Sequence, residues 1–227
     1  MPSLSRRCLA EFIGTALLLS AVVGSGIMGD RLAGGNVGIA LLANTLATAA
    51  SLVALILTFG PISGAHFNPV VSAVEMWCGR LRSGEAVLYV VVQCVGAVAG
   101  VVLAHVMFEL PWFSTSSHVR AGLAQGVSET VATFGLILTI LSGVRHRPAT
   151  MPFAVAAYIA GAYWFTASTS FANPAVTVAR TLTDTFAGIR PADAPFFVVS
   201  QVVGAALAVC AFSGMVSAPA VVEQAGK

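Results

Sequence analysis

Two asparagines, each followed at once by proline, carry the chemistry in this sequence: Asn68-Pro69-Val70 and Asn173-Pro174-Ala175. Asparagine is a favoured helix N-cap and proline suits the first helical position, so each pair reads as a helix start. The carboxamide is uncharged and keeps NH2 donors, which suits hydrogen-bond exchange with a neutral polar partner. Two carboxylates, Glu11 and Glu129, and two further carboxamides, Gln93 and Gln201, lie around the asparagines. Glu11 and Glu129 fall inside long apolar runs, where an ionisable group is expensive and is buried against partners. Structural bracing fits them better than a proton relay. Each is expected to accept hydrogen bonds from backbone NH groups of the irregular segment in its own half. Gln93 and Gln201 are expected to do similar work between helices. No serine–histidine or histidine–carboxylate set lies beside the Asn-Pro pairs, so no catalytic residues are assigned. His66 has no second ligand at metal spacing, and neither a metal nor a cofactor is expected.

The elements that must position these groups are apolar. Of 227 residues, 57% are hydrophobic and 9% charged, against about 25% charged in soluble domains. Mean hydropathy is +0.90. Lipid, not water, is the solvent this composition suits. The net charge of +2 is too small to point to nucleic acid. Cys8, Cys78, Cys94 and Cys210 show no paired spacing and read as packing residues. Arg6-Arg7 before an apolar run resembles a twin-arginine export signal, but no small-residue cleavage site follows and Glu11 interrupts the run. A cytoplasmic anchor on an uncleaved helix is the better reading. Charged residues divide the chain into six spans, at about 8–28, 37–59, 84–107, 122–143, 150–167 and 195–216.

Two uncharged stretches are too long for one span and too short for two. Gly60–Phe67 precedes Asn68, and Ser168–Ala172 precedes Asn173. Each reads as irregular backbone followed by a short helix, tolerable at membrane depth only where buried in protein or lining water. The halves, about 8–107 and 122–216, repeat. Glu11 matches Glu129, Asn68 matches Asn173 and Gln93 matches Gln201, at offsets of 118, 105 and 108 residues. Three spans per half is an odd number, so the second half enters from the opposite face as an inverted repeat. The two asparagines then meet near the midplane. Seven basic residues fall on one side (Arg6, Arg7, Arg80, Arg82, Arg145, Arg147, Lys227) and four on the other (Arg31, Arg120, Arg180, Arg190). That places both termini in the cytoplasm, in an inner or plasma membrane. The predicted fold is an all-α membrane protein, one domain over 1–227, with six transmembrane helices and two re-entrant half-helices.

These residues resemble the aquaporin and aquaglyceroporin family, whose signature is two Asn-Pro-Ala boxes on opposed half-helices. The Ser63-Gly64-Ala65-His66 lead-in and the Ala10-Glu11-Phe12 opening share the likeness, which covers about 8–216. It implies a six-helix bundle with one pore per protomer, a homotetramer in the lipid bilayer, and passage of small neutral solutes. Asn68 and Asn173 would mark the pore midplane and His66 its cytoplasmic half. The family's spacing places an outer filter at Thr48, Gly161, Ser170 and Val176. Family members usually carry arginine where Val176 stands, so the mouth should be wider and less charged, suiting polyols or hydroxylated metalloids. Val70 in the first box adds bulk near the midplane. Arg180, one turn beyond Val176, reads as a surface or structural residue. Thr48, Val176 and the tail Thr181–Pro191 are similar to a bacterial branch associated with arsenic resistance, which would imply arsenite or methylated arsenicals as cargo. A secondary transporter also uses broken helices and inverted repeats, but would place ionisable groups at the midplane.

Overall fold

The computed structural model describes residues 2–216; Lys227, counted above among the cytoplasmic charges, lies outside them. Among the described residues eight α-helices follow one another: α1 Leu4–Leu32, α2 Val37–Ser63, α3 Pro69–Trp77, α4 Ser83–Met107, α5 Leu123–His146, α6 Met151–Phe165, α7 Pro174–Ala179 and α8 Ala194–Met215. No strand occurs among the described residues. Five helices (α1, α2, α4, α5, α8) are long and apolar enough to cross a membrane. The sixth, α6, has 15 residues and is preceded by a 3-10 turn at Pro148–Thr150. Helices α3 and α7 are the half-helices, and α7 runs on into a 3-10 turn over Arg180–Leu182.

The distribution of side chains is inverted relative to a water-soluble protein. Glu11, Gln93, Glu129 and Gln201 are all fully buried, while Leu42, Leu46, Val91, Val95, Val199 and Leu207 are exposed on the outside. Apolar side chains exposed on the outside, with carboxylates and carboxamides buried within an otherwise apolar core, are the pattern that lipid selects.

Close helix approach depends on glycine. A Cβ on Gly96 would lie 2.5 Å from the Phe12 carbonyl oxygen, and one on Gly100 2.2 Å from that of Ala16, which brings α4 onto α1. In the second half a Cβ on Gly204 would lie 2.4 Å from the Thr130 carbonyl oxygen, bringing α8 onto α5. Small residues that let backbones touch are the usual means of packing helices without a hydrophobic driving force.

Helix α2 differs from its predicted span. It continues through Pro61 to Ser63 and stops at Gly64, which takes the left-handed conformation at φ 92°. The irregular segment of the first half therefore begins four residues later than the Gly60-Pro61 pair suggests. Helix α1 likewise starts at Leu4, so Arg6 and Arg7 belong to it. Arg7 pairs with Glu85 of α4 at 3.0 Å and donates to the Tyr89 hydroxyl at 2.9 Å.

Candidate functional site

Each re-entrant segment bends through residues with positive φ: Ala65 (51°) and Phe67 (50°) in the first, Ser170 (52°) and Ala172 (48°) in the second. None is glycine, so each stores strain of about 1–3 kcal/mol that its surroundings must hold. The buried carboxylates do the holding. Glu11 Oε1 accepts from the His66 backbone NH at 2.9 Å and the Ser63 hydroxyl at 2.6 Å. Its Oε2 accepts from the Phe67 NH at 2.7 Å and Gln93 Nε2 at 2.8 Å. Glu129 repeats the arrangement, accepting from the NH groups of Phe171 (2.9 Å) and Ala172 (2.8 Å) and from Gln201 Nε2 (2.6 Å). Gln93 also donates to Ser72 Oγ at 2.9 Å and Gln201 to Thr177 Oγ1 at 2.8 Å, which ties each brace to its half-helix.

The asparagines both cap and clamp. Asn68 Oδ1 accepts from the Val70 NH at 3.1 Å, and Asn173 Oδ1 from the NH groups of Ala175 (3.0 Å) and Val176 (3.3 Å). Asn68 Nδ2 donates to the Ala172 carbonyl and Asn173 Nδ2 to the Phe67 carbonyl, each at 2.8 Å. Each side chain thus holds the residue before the other asparagine. A carboxamide nitrogen carries two hydrogens, and this bond takes one. Both asparagines line a cavity of about 470 Å³ that runs between the halves. Its walls are mostly apolar, with Leu18, Leu52, Ile56, Leu136, Ile140 and Val155 among them. His66 lines it as well, with Nδ1 3.0 Å from Ser72 Oγ. The Val70 side chain is buried and lies outside this lining.

Toward the α7 end of the cavity the four residues counted from family spacing do not stay together. Thr48, Ser170 and Val176 line the cavity; Gly161 does not, and faces outward on α6. The lining face of α6 is Met151, Val155, Ile159 and Tyr163, at four-residue steps. Gly161 is two residues away from Tyr163 and so falls on the opposite side of the helix. Tyr163 takes the place expected of Gly161: its hydroxyl meets Thr48 Oγ1 at 3.3 Å. The four-residue apolar step was the signal in the sequence that pointed to it. Ser170 Oγ is buried with no hydrogen-bond partner among the described residues.

Arg180 is the larger correction. It is 3% exposed and lines the cavity. Its guanidinium carbon sits 3.4 Å from the centre of the Phe171 ring, and Nε donates to the Ala187 carbonyl. Arg120 lies 5.1 Å from the centre of the same ring and donates to the carbonyls of Gly188 (2.8 Å) and Ser168 (3.2 Å). The backbone NH of Arg120 is held by Asp193 at 2.9 Å, and the Arg190 guanidinium beside Asp193 keeps that carboxyl below its usual range. Arg180 departs from the surface reading because the 183–189 segment folds over it: Thr183, Ala187 and Ile189 are buried.

Residues 1–163 match the Major intrinsic protein family. Aquaglyceroporin AqpS of Rhizobium meliloti (strain 1021) is 55% identical over 212 residues, covering 93% of this chain and 89% of that protein. Aquaporin AqpM of Methanothermobacter marburgensis is 32% identical, over 96% of this chain and all of that one. The solved aquaglyceroporin from Plasmodium falciparum superposes with a TM-score of 0.67 at 20% identity, over 94% of this chain and 100% of that one, so the fold is shared. With both half-helices, their braces and the reciprocal asparagine clamp in place, this chain belongs to the major intrinsic protein family.

Proposed function

We infer that this protein is a passive transmembrane channel for small neutral solutes, water and glycerol-type polyols among them, and not an enzyme. One observation carries the reading: two uncharged carboxamides, fixed by each other's loop carbonyls, line a cavity between opposed half-helices. A solute that sheds water there finds donors already oriented, while the apolar walls offer an ion nothing in exchange for its hydration.

In this reading Asn68 and Asn173 form the midplane, and Glu11, Glu129, Gln93 and Gln201 hold the loops that present them. His66 lines the cytoplasmic half. Thr48, Tyr163, Ser170 and Val176 form the outer constriction, with Tyr163 in place of Gly161. Valine in place of a guanidinium leaves room for solutes larger than water, and neutral arsenite, As(OH)3, has the hydroxyl pattern of a small polyol. The excess of basic residues at one face supports an inner or plasma membrane location with both termini cytoplasmic. The family membership supports a homotetramer in that bilayer.

Stopped-flow light scattering on proteoliposomes with water, glycerol, urea and arsenite tests this. Non-saturating, gradient-driven flux that needs no coupling ion is the expected result. Saturation at low concentration, or dependence on a proton or sodium gradient, would make the protein a transporter.

A further inference from the structure

Three ionisable side chains of formal charge or ready protonation line the cavity: His66, Glu75 and Arg180. Glu75 and Arg180 are 105 residues apart, the separation of Asn68 and Asn173, so they are equivalent positions of the two halves. They are not equivalent in charge balance. Glu75 is gripped by Arg80, whose Nε and Nη2 each donate to one carboxylate oxygen at 2.6 Å. Arg180 has no carboxylate partner among the described residues; its one side-chain hydrogen bond among them is from Nε to a carbonyl. Arg120, on the same aromatic ring, also bonds only carbonyls through its guanidinium. The α7 end of the passage therefore carries two guanidinium groups with no direct carboxylate partner among the described residues, the nearest buried carboxylate being Glu129 beneath Phe171, and the other end carries a bidentate ion pair.

We propose that Arg180, stacked on Phe171 and reinforced by Arg120, is the cation-excluding residue of this channel, acting one helical turn outside the valine at position 176. The proposal rests on the channel reading above and adds to it the residue that sets charge selectivity. A planar guanidinium on an aromatic face keeps its remaining donors free, stays charged, and is held in one orientation by the ring. Displaced outward, it guards the mouth electrostatically without filling the constriction at Val176, so a wide pore can still reject cations. Arg120 does not line the cavity and acts through the shared ring and field, as a positioning residue.

Urea and guanidinium are near-identical in size and differ in charge, so their paired fluxes read the device directly. In proteoliposomes made potassium-permeable with valinomycin, so that cation entry is not limited by charge, wild type should pass urea or glycerol and exclude guanidinium. Arg180→Met should raise guanidinium entry about tenfold or more while changing neutral flux less than about threefold. Arg180→Lys, which keeps the charge and loses the planar stack, should exclude guanidinium better than Arg180→Met and less well than wild type; Arg120→Met should give a smaller gain, and adding Val176→Arg to Arg180→Met should restore exclusion. Arg180→Gln, which can still donate to Ala187, is read in the same way where the methionine variant does not fold. A folded Arg180 variant that passes neutral solute and still rejects guanidinium overturns the proposal. So does a wild-type channel that passes guanidinium as readily as urea, a result that needs no variant. Wild type passing no neutral solute at all counts instead against the channel reading.

Discussion

The two halves of the molecule share one construction and differ at their mouths. Glu11 with Gln93 and Ser72 is matched bond for bond by Glu129 with Gln201 and Thr177. The strained residues pair as well: Ala65 with Ser170 and Phe67 with Ala172, at the same 105-residue separation. Even the position after each box is the same, Val71 and Val176. Beyond the boxes the halves diverge. Where the first has His66 and a paired Glu75, the second has Phe171 and an Arg180 with no carboxylate partner among the described residues. Groups that hold the backbone in place are duplicated because both loops pose the same unsatisfied NH groups. Groups that meet the two aqueous compartments are not, because nothing about the backbone constrains them.

The largest test of this equivalence is removal of each carboxylate charge. Glu11→Gln and Glu129→Gln each set a donor NH2 against NH donors inside the protein, at a cost of about 3 kcal/mol or more. Glu11 accepts a fourth bond, from Ser63, whereas the matching Ser168 turns its hydroxyl to Thr166. Thermal unfolding in detergent should therefore show the larger loss for Glu11→Gln; equal losses would mean the Ser63 bond adds nothing. Gly96→Ala and Gly204→Ala come next, each forcing a methyl against a carbonyl at a cost of about 1–3 kcal/mol. Similar falls in melting temperature would uphold the matched packing of α1 with α4 and α5 with α8.

Val176→Arg should then lower glycerol flux about tenfold, and water flux less, by refilling the outer constriction. An equal loss for both solutes would remove Val176 from the size filter. The smallest effect separates Tyr163 from Gly161. Tyr163→Phe deletes the contact with Thr48, worth about 0.5–1.5 kcal/mol, and should alter the ratio of glycerol to water flux by a factor of about two to three. A Cβ at Gly161 meets nothing nearer than Phe165 at 3.9 Å. Gly161→Ala should leave flux unchanged, and a changed selectivity there would return that residue to the passage.

The sequence makes the braces readable because they repeat. A carboxylate, a carboxamide and an asparagine in one order, twice, in uncharged surroundings have few physical solutions, and the bonds of Glu11 and Glu129 to loop NH groups are among them. Counting along α6 by family spacing does not reach a residue that lines the cavity. The count fixes a distance along the chain, and the face is fixed by helical phase, which the run Met151, Val155, Ile159, Tyr163 carries. The end of α2 is obscured by Pro61, which suggests a break although the helix runs two residues past it. The surface half of the Arg180 reading fails: a long side chain near a helix end usually reaches for water. Here the burial of Ala187 and Ile189, which no local pattern announces, closes that route.

The asparagine clamp also constrains biosynthesis. Phe67 offers its carbonyl to Asn173, and Asn68 needs the carbonyl of Ala172. As the ribosome releases the chain, the first loop enters the bilayer more than a hundred residues before its partners are translated. Until then its polar groups face hydrocarbon, lipid headgroups or trapped water. A product ending near residue 107 would carry that deficit permanently. Separately expressed fragments 1–107 and 108–227 should accordingly be degraded when alone and persist when made together.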